Sequence, residues 1–402
     1  MIKRTLQELC LNITDGKHGD CENEENSGYY FISCKDIFDG QINYKNARQI
    51  TKADFEETHK RTMLEVDDIL LTNSGTIGRM AFVTDREATT KTTFQKSVAI
   101  IKPDKQKVLP RYLYYKLQNC VPQFINGSNG SAQKNLLLST MRTFQIEIEE
   151  NREKQEKIAN TLSAYDDLIE NNQKQIKLLE EAAQRLYKEW FVDLRFPGHE
   201  NTKIVDGVPE GWNWCKLEDA IQLDPKVTLT KERMKQFIPM SALSTSSMVL
   251  DESQFTETTS NSGSKFQNGD TLLARITPCL ENGKTAYVSG LKSSEGAVGS
   301  TEYIVMRAKT INAYMVYLLA RTDDFRQSAI NSMSGSDGRQ RVKSDKLKML
   351  DYLHPTSELV EKFENVEEPI FEKIYRLSKQ MQQAKQARGL LLPKLMSGEV
   401  EV

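Results

Sequence analysis

The chain of 402 residues is long enough for two to three domains that each bury a hydrophobic core. Charged residues make up 27% of it and hydrophobic residues 38%, and the net charge of −2 excludes the strongly basic body of a non-specific nucleic-acid binder. No apolar run is long enough to span a membrane, the N-terminal sequence lacks the apolar core of a signal peptide, and the six cysteines form no CxxC pair. We therefore expect a cytoplasmic protein without a zinc ribbon or a disulfide framework.

Residues 1–150 are predicted to form a mixed, strand-rich domain. A helix is expected over 110–125, where Pro110 suits the first turn, and a polar loop follows at 126–135. Short apolar runs between polar turns predict strands at 29–37, 68–75, 79–84, 97–103 and 144–148.

A heptad pattern follows this domain. From Ile158 to Trp190, apolar residues recur at alternating intervals of four and three residues, with one polar interruption at Asn172 and no Pro or Gly. At ~1.5 Å per residue the pattern predicts a helix of roughly 50 Å, whose narrow apolar face requires a partner.

The second half of the chain repeats the order of the first. Pro197 and Gly198 end the long helix, and a linker at 203–220 leads into the second domain. A second heptad seam runs from Phe363 to Leu395, with Glu367 and Arg388 at seam positions and Pro369 bending or starting the helix. Five segments with offsets between about 202 and 211 residues predict a tandem duplication, namely 236–243, 269–276, 301–308, 313–320 and 330–342. Two ordinary amphipathic helices, each packed on its own domain, are the alternative to a helical pair.

No catalytic or metal site is predicted. The nearest phosphate-loop sequence, at 282–285, has Pro278 where the loop requires Gly, and the Asn-Pro-Pro-aromatic, HExxH and GxSxG motifs are missing. The four histidines lie far apart in the sequence. The chain therefore offers surfaces for recognition rather than a reaction centre.

Two loops that precede the heptad helices carry recognition chemistry. The second, 334–348, has five basic residues against two acidic ones in a Gly/Ser-rich setting, and Arg and Gln can read guanine and adenine edges. Two solvated loops without a ligand are the alternative. The candidate DNA-binding residues of these loops are Ser128, Asn129, Ser131, Gln133 and Lys134 in the first half and Arg339, Gln340, Arg341 and Lys343 in the second.

Loops at the ends of predicted strands are expected to line the same surfaces, because a rigid scaffold presents side chains there. The loops are 72–80 with its counterpart 274–284, and 89–97 with its counterpart 295–303. Their candidate DNA-binding residues are Asn73, Ser74, Arg79, Lys91, Arg275, Thr277 and Lys284.

Over essentially its whole length the chain resembles the specificity (S) subunit of type I restriction–modification systems. The resemblance rests on the strand motifs at 68–71 and 269–273, the VPEGW sequence at 208–212, the spacer at 155–191 and the LLLPKLMSGEV sequence at 390–400. The first domain lacks a PEGW-like start, so the resemblance leaves its first strand undefined.

The resemblance implies an α+β fold with two tandem duplicated α/β target recognition domains, separated and braced by two long antiparallel coiled-coil helices and related by pseudo-two-fold symmetry. The implied domains are 1–150 and 197–357, with a central spacer helix at 151–196 and a C-terminal spacer helix at 358–402. Each domain would read one half of a split double-stranded DNA target, and the helices would act as a ruler for the gap between the halves.

The resemblance also implies partners and leaves this chain without cofactors. S-adenosylmethionine would belong to two modification (methyltransferase) subunits, and ATP and Mg²⁺ to restriction (translocase and nuclease) subunits. One candidate docking residue, Trp190, has an equally weighted alternative role, which is to cap the helical seam within the chain. The candidate docking residues for the partners are Leu186, Tyr187, Trp190, Phe191, Leu391, Leu392 and Leu395.

Two other classes of function stay open. A pure protein-assembly scaffold would leave the basic loop without a role, and a nuclease or methyltransferase acting alone would need the motifs that are missing. A non-catalytic, sequence-specific DNA-binding subunit is the function that the sequence favours.

Overall fold

The computed structural model describes residues 1–128, 135–335 and 340–401. Contacts between backbone positions divide the chain into two units: unit 1 contains Met1–Asp167 and Ala384–Val402, and unit 2 contains Leu168–Gln383. The division falls inside both long helices, α5 (Arg152–Tyr187) and α10 (Ser357–Ser397), so each helix contributes residues to both units.

The remaining elements of unit 1 are eleven strands and four helices within the described part of the chain. They are β1 (Ile2–Thr5), β2 (Cys10–Asp15), β3 (Tyr30–Ile32), β4 (Ile37–Phe38), β5 (Gln41–Ile42), β6 (Arg48–Gln49), α1 (Lys52–Thr62), β7 (Ile69–Thr72), β8 (Met80–Phe82), β9 (Thr92–Phe94), β10 (Val98–Pro103), α2 (Pro110–Asn119), α3 (Val121–Asn126), α4 (Leu138–Thr143) and β11 (Gln145–Ile148).

Unit 2 contains twelve strands and four shorter helices in its described residues. They are β12 (Ile204–Val205), β13 (Val208–Pro209), β14 (Asn213–Lys216), α6 (Leu217–Ala220), β15 (Ile221–Leu223), β16 (Lys235–Ile238), β17 (Thr256–Thr258), β18 (Ser264–Phe266), β19 (Thr271–Ala274), β20 (Thr285–Tyr287), β21 (Ala297–Gly299), β22 (Tyr303–Ala308), α7 (Ala313–Arg321), α8 (Asp323–Asn331), α9 (Ser344–Lys348) and β23 (Asp351–His354).

The main sheets of the two units have the same strand order. Unit 1 has the antiparallel order β2-β10-β7-β8, and unit 2 has the antiparallel order β15-β22-β19-β20. Each unit also pairs an early strand with the strand before a long helix, β1 with β11 and β14 with β23. A parallel pair recurs as well, β3 with β9 and β16 with β21. The predicted tandem duplication is therefore confirmed.

The central strands are apolar throughout because both faces of each main sheet are covered. Along β7, Ile69 and Leu71 belong to one core cluster while Leu70 belongs to another, as the two-residue period of a strand requires. Along β19, Leu273 likewise belongs to one core cluster and its neighbour Leu272 to another.

Within unit 2, the contacts between α5 and α10 run in opposite directions along the two helices. The rings of Tyr187 and Phe363 lie 6.1 Å apart, whereas Asn172, earlier in α5, contacts Leu377, later in α10. The helices are therefore antiparallel, and the predicted α+β fold with a helical pair is confirmed. Two separate amphipathic helices are excluded, because the seam residues of α5 and α10 pack on each other.

Several details differ from the sequence-based expectations. The helix expected over 110–125 is two helices, α2 and α3, with Cys120 between them and Pro122 in the first turn of α3. Pro369 does not start the second long helix, which begins at Ser357 and continues past it. Arg388 occupies a seam position because its guanidinium pairs with Asp166, which also accepts a hydrogen bond of 2.6 Å from the phenol of Tyr115.

Candidate nucleic-acid interface

The same backbone contact joins two predicted recognition segments in each unit. In unit 1 the N–H of Leu136 donates to the carbonyl oxygen of Asn73 at 2.8 Å, just past the end of β7. In unit 2 the N–H of Val342 donates to the carbonyl oxygen of Arg275 at 2.9 Å, just past the end of β19. Isolated bridges extend both contacts, Ser74 with Asn135 and Ile276 with Arg341.

A third segment joins at the same place. The N–H of Asn73 donates to the carbonyl of Ser97 at 3.1 Å, and the N–H of Arg275 donates to the carbonyl of Glu302 at 3.0 Å. Ser97 and Glu302 directly precede the equivalent strands β10 and β22. We call these three-segment arrangements the strand-end junctions of the two units. Among the described residues, parts of the predicted loops thus come together in each unit, and their contact with DNA stays a prediction.

A fourth segment was missed by sequence reasoning. The guanidinium of Arg79 lies 3.4 Å from the carbonyl of Cys34, and the ammonium of Lys284 donates to the carbonyl of Met240 at 2.9 Å. Each carbonyl belongs to a short 3-10 turn, Cys34–Asp36 or Met240–Ala242. In unit 1 the spacing of Ser33 and Asp36 is a capping-box signal that could have revealed the turn.

The strand-end junction of unit 2 is charged. Arg341 donates from Nε to both carboxylate oxygens of Glu302, at 2.9 and 3.0 Å, and from Nη2 at 2.6 Å. This hydrogen bonding lowers the pKa of Glu302, so the carboxylate stays ionised. Arg275 donates from Nε and Nη2 to the carbonyl of Val342, at 3.1 and 2.8 Å, and thereby fixes the segment that carries Arg341.

The strand-end junction of unit 1 is neutral. Asn73 is buried, and its carboxamide oxygen accepts no hydrogen bond within the described part of the chain. Ser74 is half-buried, and Asn135 stands where unit 2 has Arg341. The two junctions therefore offer different side-chain chemistry, neutral amide and hydroxyl groups in unit 1 and an ion pair in unit 2.

Other predicted DNA-binding residues lie around or away from the junctions. Thr277 donates its N–H to the carbonyl of half-buried Gln340 at 3.1 Å, and Lys343 is exposed directly after Val342. The hydroxyl of Ser128 donates to the carbonyl of Ile125 at 2.6 Å and caps the end of α3. The predicted residues Asn129, Ser131, Gln133, Lys134 and Arg339 lie outside the residues that the structure describes.

Lys91 does not lie at the strand-end junction of unit 1, and its contact with DNA stays a prediction. Residues 92–94 form strand β9 rather than part of a loop, so Lys91 and the junction residue Ser97 lie beyond opposite ends of that strand. The exposed Lys91 ends a 3-10 turn before β9.

The predicted docking residues divide by burial. Tyr187 and Trp190 are buried against Phe363, and Leu395 is buried in the core of unit 1, so these three side chains pack within the chain itself. For Trp190 the structure thus favours the role of capping the seam. The half-buried side chains that keep surface for a partner are Leu186, Phe191, Leu391 and Leu392.

The part of the chain that the structure describes holds no group of three or more His, Cys, Asp or Glu residues placed to bind a metal ion. All six cysteines are free thiols. Of the helices in 1–128, 135–335 and 340–401, none combines the length and apolar character needed to cross a membrane.

The fold and the junctions define a tandemly duplicated α+β protein with one candidate recognition surface in each unit. Comparison with known proteins shows what the chain is similar to. Residues 3–181 match the family described as type I restriction modification DNA specificity domain. The chain is 28% identical over 386 residues to the type I restriction enzyme MjaIX specificity subunit of Methanocaldococcus jannaschii, covering 92% of this chain and 87% of that protein.

Two further similarities agree. The type I restriction enzyme EcoAI specificity subunit of Escherichia coli is 35% identical over 140 residues, which are 34% of this chain and 24% of that protein. A type I restriction–modification S subunit from M. genitalium shares the fold, with a TM-score of 0.61 at 16% identity over 98% of this chain and 95% of that one. The chain is therefore similar to type I restriction–modification specificity subunits, by the family model over residues 3–181 and by the Methanocaldococcus jannaschii relative over 92% of this chain.

Proposed function

We propose that the chain reads a bipartite double-stranded DNA target, one half through each unit, and directs type I methyltransferase and restriction subunits to it. The observation that carries the proposal is the strand-end junction, which recurs in both units with the same backbone contacts and different side chains. A constant scaffold with variable polar side chains suits a protein that reads two different half-sites.

The antiparallel helices α5 and α10 serve in this proposal as a ruler. The 36 residues of α5 extend about 54 Å, and one turn of DNA is about 34 Å, so the helix is long enough to set half-sites more than one turn apart. Helical pairs resist bending better than loops do, so the gap between the halves is expected to be fixed.

The chemistry belongs to the partners in this proposal. Two modification subunits carry S-adenosylmethionine and transfer the methyl group, and restriction subunits carry ATP and Mg²⁺. This chain contributes recognition and docking and binds none of these cofactors. The half-buried Phe191 and Leu391 are the apolar side chains proposed to contact partner helices.

The test is to co-express the chain with its cognate modification subunit, purify the complex and map methylated adenines in the host genome. We expect methylation at one two-part motif with a fixed gap, and loss of that methylation when this chain is deleted. A chain that forms no complex with a methyltransferase, or a complex that methylates without a motif, contradicts the proposal and favours a protein scaffold.

A further inference from the structure

Glu302 is an acidic residue at the centre of a surface proposed to face DNA, and sequence reasoning did not select it. Its carbonyl accepts from the N–H of Arg275 at 3.0 Å, and its carboxylate accepts three hydrogen bonds from Arg341. The side chain of Glu302 is 24% exposed and that of Arg341 is 47% exposed, so the pair lies at the surface of unit 2. An acidic group in such a place requires a reason, because it repels phosphate.

The backbone around Arg341 is fixed as firmly as its side chain. Its N–H donates to the carbonyl of Ser334 at 3.0 Å, and its carbonyl accepts from the N–H of Ser334 at 3.1 Å. The next residue, Val342, is fully buried and its carbonyl accepts from Arg275. The position and direction of the guanidinium are therefore set before any ligand arrives.

The contacts with Glu302 use one particular edge of the guanidinium. A guanidinium has five N–H donors in a rigid plane, and Glu302 engages those on the Nε–Nη2 edge. The remaining donors lie along the Nη1–Nη2 end, which points away from the carboxylate. That end is the fork that pairs with O6 and N7 of guanine in the major groove.

We propose that Glu302 is the positioning residue for base reading in unit 2: it holds Arg341 so that the Nη1–Nη2 end meets a guanine, and it disfavours use of Arg341 as a phosphate contact. The inference rests on the proposed DNA-reading function. A fixed arginine loses less freedom on binding a base than a mobile one does. A neighbouring carboxylate also penalises wrong ligands, which adds specificity by repulsion.

Unit 1 supplies an internal comparison. The equivalents of Glu302, Arg341 and Arg275 are Ser97, Asn135 and Asn73, which carry no charge. The ion pair is therefore not needed to build a strand-end junction. Its presence in unit 2 alone assigns it to the chemistry of one half-site.

The experiment is selection of bound DNA from a library of random-sequence duplexes with the full chain in complex with its modification subunit. Four proteins are compared: wild type, Glu302→Gln, Arg341→Lys, and Glu372→Gln as a charge-matched control. Glu372 is an exposed residue of α10 that pairs with Arg376, away from the junction residues in sequence and contacts. Each protein is also titrated with unselected duplex DNA at several salt concentrations.

We expect the wild type to enrich a two-part motif. Glu302→Gln should keep that motif, but its preference for guanine at one position of one half should fall about tenfold. Arg341→Lys should lose the preference for guanine at the same position. On unselected DNA, Glu302→Gln should bind more tightly, with a salt dependence steeper by about one ion, because Arg341 becomes free to bind phosphate. Glu372→Gln should match the wild type in both measurements.

The proposed function and the role of Glu302 are contradicted by different results. If the wild type enriches no motif, the proposed function and this inference both fall. If the wild type enriches a motif and Glu302→Gln retains every base preference and the wild-type salt dependence, only the role of Glu302 is overturned. Loss of preference in both halves, with a lowered unfolding temperature, would also overturn it in favour of a purely structural ion pair.

Discussion

The side-chain amide of Asn172 lies 3.5 Å from the backbone carbonyl of Leu377, the residue that occupies the same heptad position in the second long helix. The amide also donates to Oε1 of Gln380 at 3.1 Å, and Asn172 is only 1% exposed. Because the two helices run in opposite directions, equivalent heptad positions lie side by side at only one place along the pair. The buried amide of Asn172 lies at that level, where a polar contact can fix the register of the pair.

Replacing Asn172 with Leu should therefore raise stability and weaken the register. The apolar side chain fills the seam without the cost of burying an amide, so we expect the free energy of unfolding to rise by about 1 kcal/mol. Denaturant unfolding followed by circular dichroism measures this. Gln380→Ala, which removes the exposed partner of the amide, should change stability in the opposite direction. A less stable Asn172→Leu variant would show that the amide contributes net stability.

Glu367 should make the helical pair sensitive to pH. It is fully buried in α10, neither carboxylate oxygen has a hydrogen-bond partner among the described residues, and burial raises its pKa to about 7. The unfolded chain releases this proton near pH 4.3. The native state therefore holds the extra proton between about pH 4.3 and 7, and stability falls as pH rises through that window, by on the order of 3 kcal/mol.

Glu367→Gln should remove this dependence. We expect the variant to resemble the wild type near pH 4.5 and to be more stable by about 3 kcal/mol at pH 8, because the amide has no charge to desolvate. The exposed neighbour Glu361, changed to Gln, is the matched control in the same helix. Equal pH dependence of the wild type and Glu367→Gln would show that Glu367 is not the titrating group.

These polar seam residues show where sequence reasoning succeeds. Asn172, Glu367 and Arg388 were visible as interruptions because a heptad fixes the expected residue type at each position. Their partners were not visible, since Gln380 and Asp166 come from the other end of the chain. The main strands were predictable for the same reason, as continuous apolar runs between turns.

Features that depend on distant contacts could not be predicted. Lys116 is 7% exposed in the apolar face of α2, and its ammonium donates to the carbonyl of Met396 at 2.9 Å, 280 residues further along the chain. The pairing of Glu302 with Arg341 spans 39 residues, and nothing in their spacing indicates it. Helix α1 was not predicted because its sequence is largely polar; the N-cap Thr51, which accepts from the N–H of Asp54, is a local signal for it.

The duplicated strand motifs give a third prediction. Asp270 accepts two hydrogen bonds from Arg307, at 2.6 and 2.7 Å, whereas its equivalent Asp68 accepts one from Lys102 at 2.7 Å. Asp270→Asn should cost about 3 kcal/mol, because it leaves a largely buried arginine without its counter-charge. Urea unfolding at pH 8 measures the loss.

Asp68→Asn is the comparison for that variant. Burial raises the pKa of Asp68 to about 6 although Lys102 opposes the shift, so ionised Asp68 is less favourable in the folded chain than in the unfolded one. Stability from this group is fully present below about pH 4 and falls as pH rises to 6. Asp68→Asn should therefore cost less than about 1 kcal/mol at pH 8. Equal losses for Asp68→Asn and Asp270→Asn would contradict this reading.

The salt dependence of DNA affinity should distinguish Lys343 from Lys284, which the sequence analysis both predicted to bind DNA. Lys343 is exposed beside the strand-end junction, whereas the ammonium of half-buried Lys284 donates to the carbonyl of Met240. Lys343→Ala should reduce the slope of log affinity against log salt by about one, since one phosphate contact is lost. Lys284→Ala should leave the slope unchanged and lower stability by about 1 kcal/mol. A reversed result would place Lys284 on the phosphate backbone.

The ruler role of the helical pair predicts that a fault in the seam alters the gap between half-sites. Ile176 is 6% exposed in the core of unit 2, and Ile176→Glu places a charge in the seam. We expect methylation to spread to motifs with gaps other than the wild-type one, while both half-site sequences stay the same. Leu178→Glu makes the same chemical change two residues further on, where the side chain is 64% exposed, and should keep the wild-type gap. Genome-wide mapping of methylated adenines measures the gap in both variants. If Ile176→Glu still methylates and keeps the wild-type gap, the helical seam does not set the spacing.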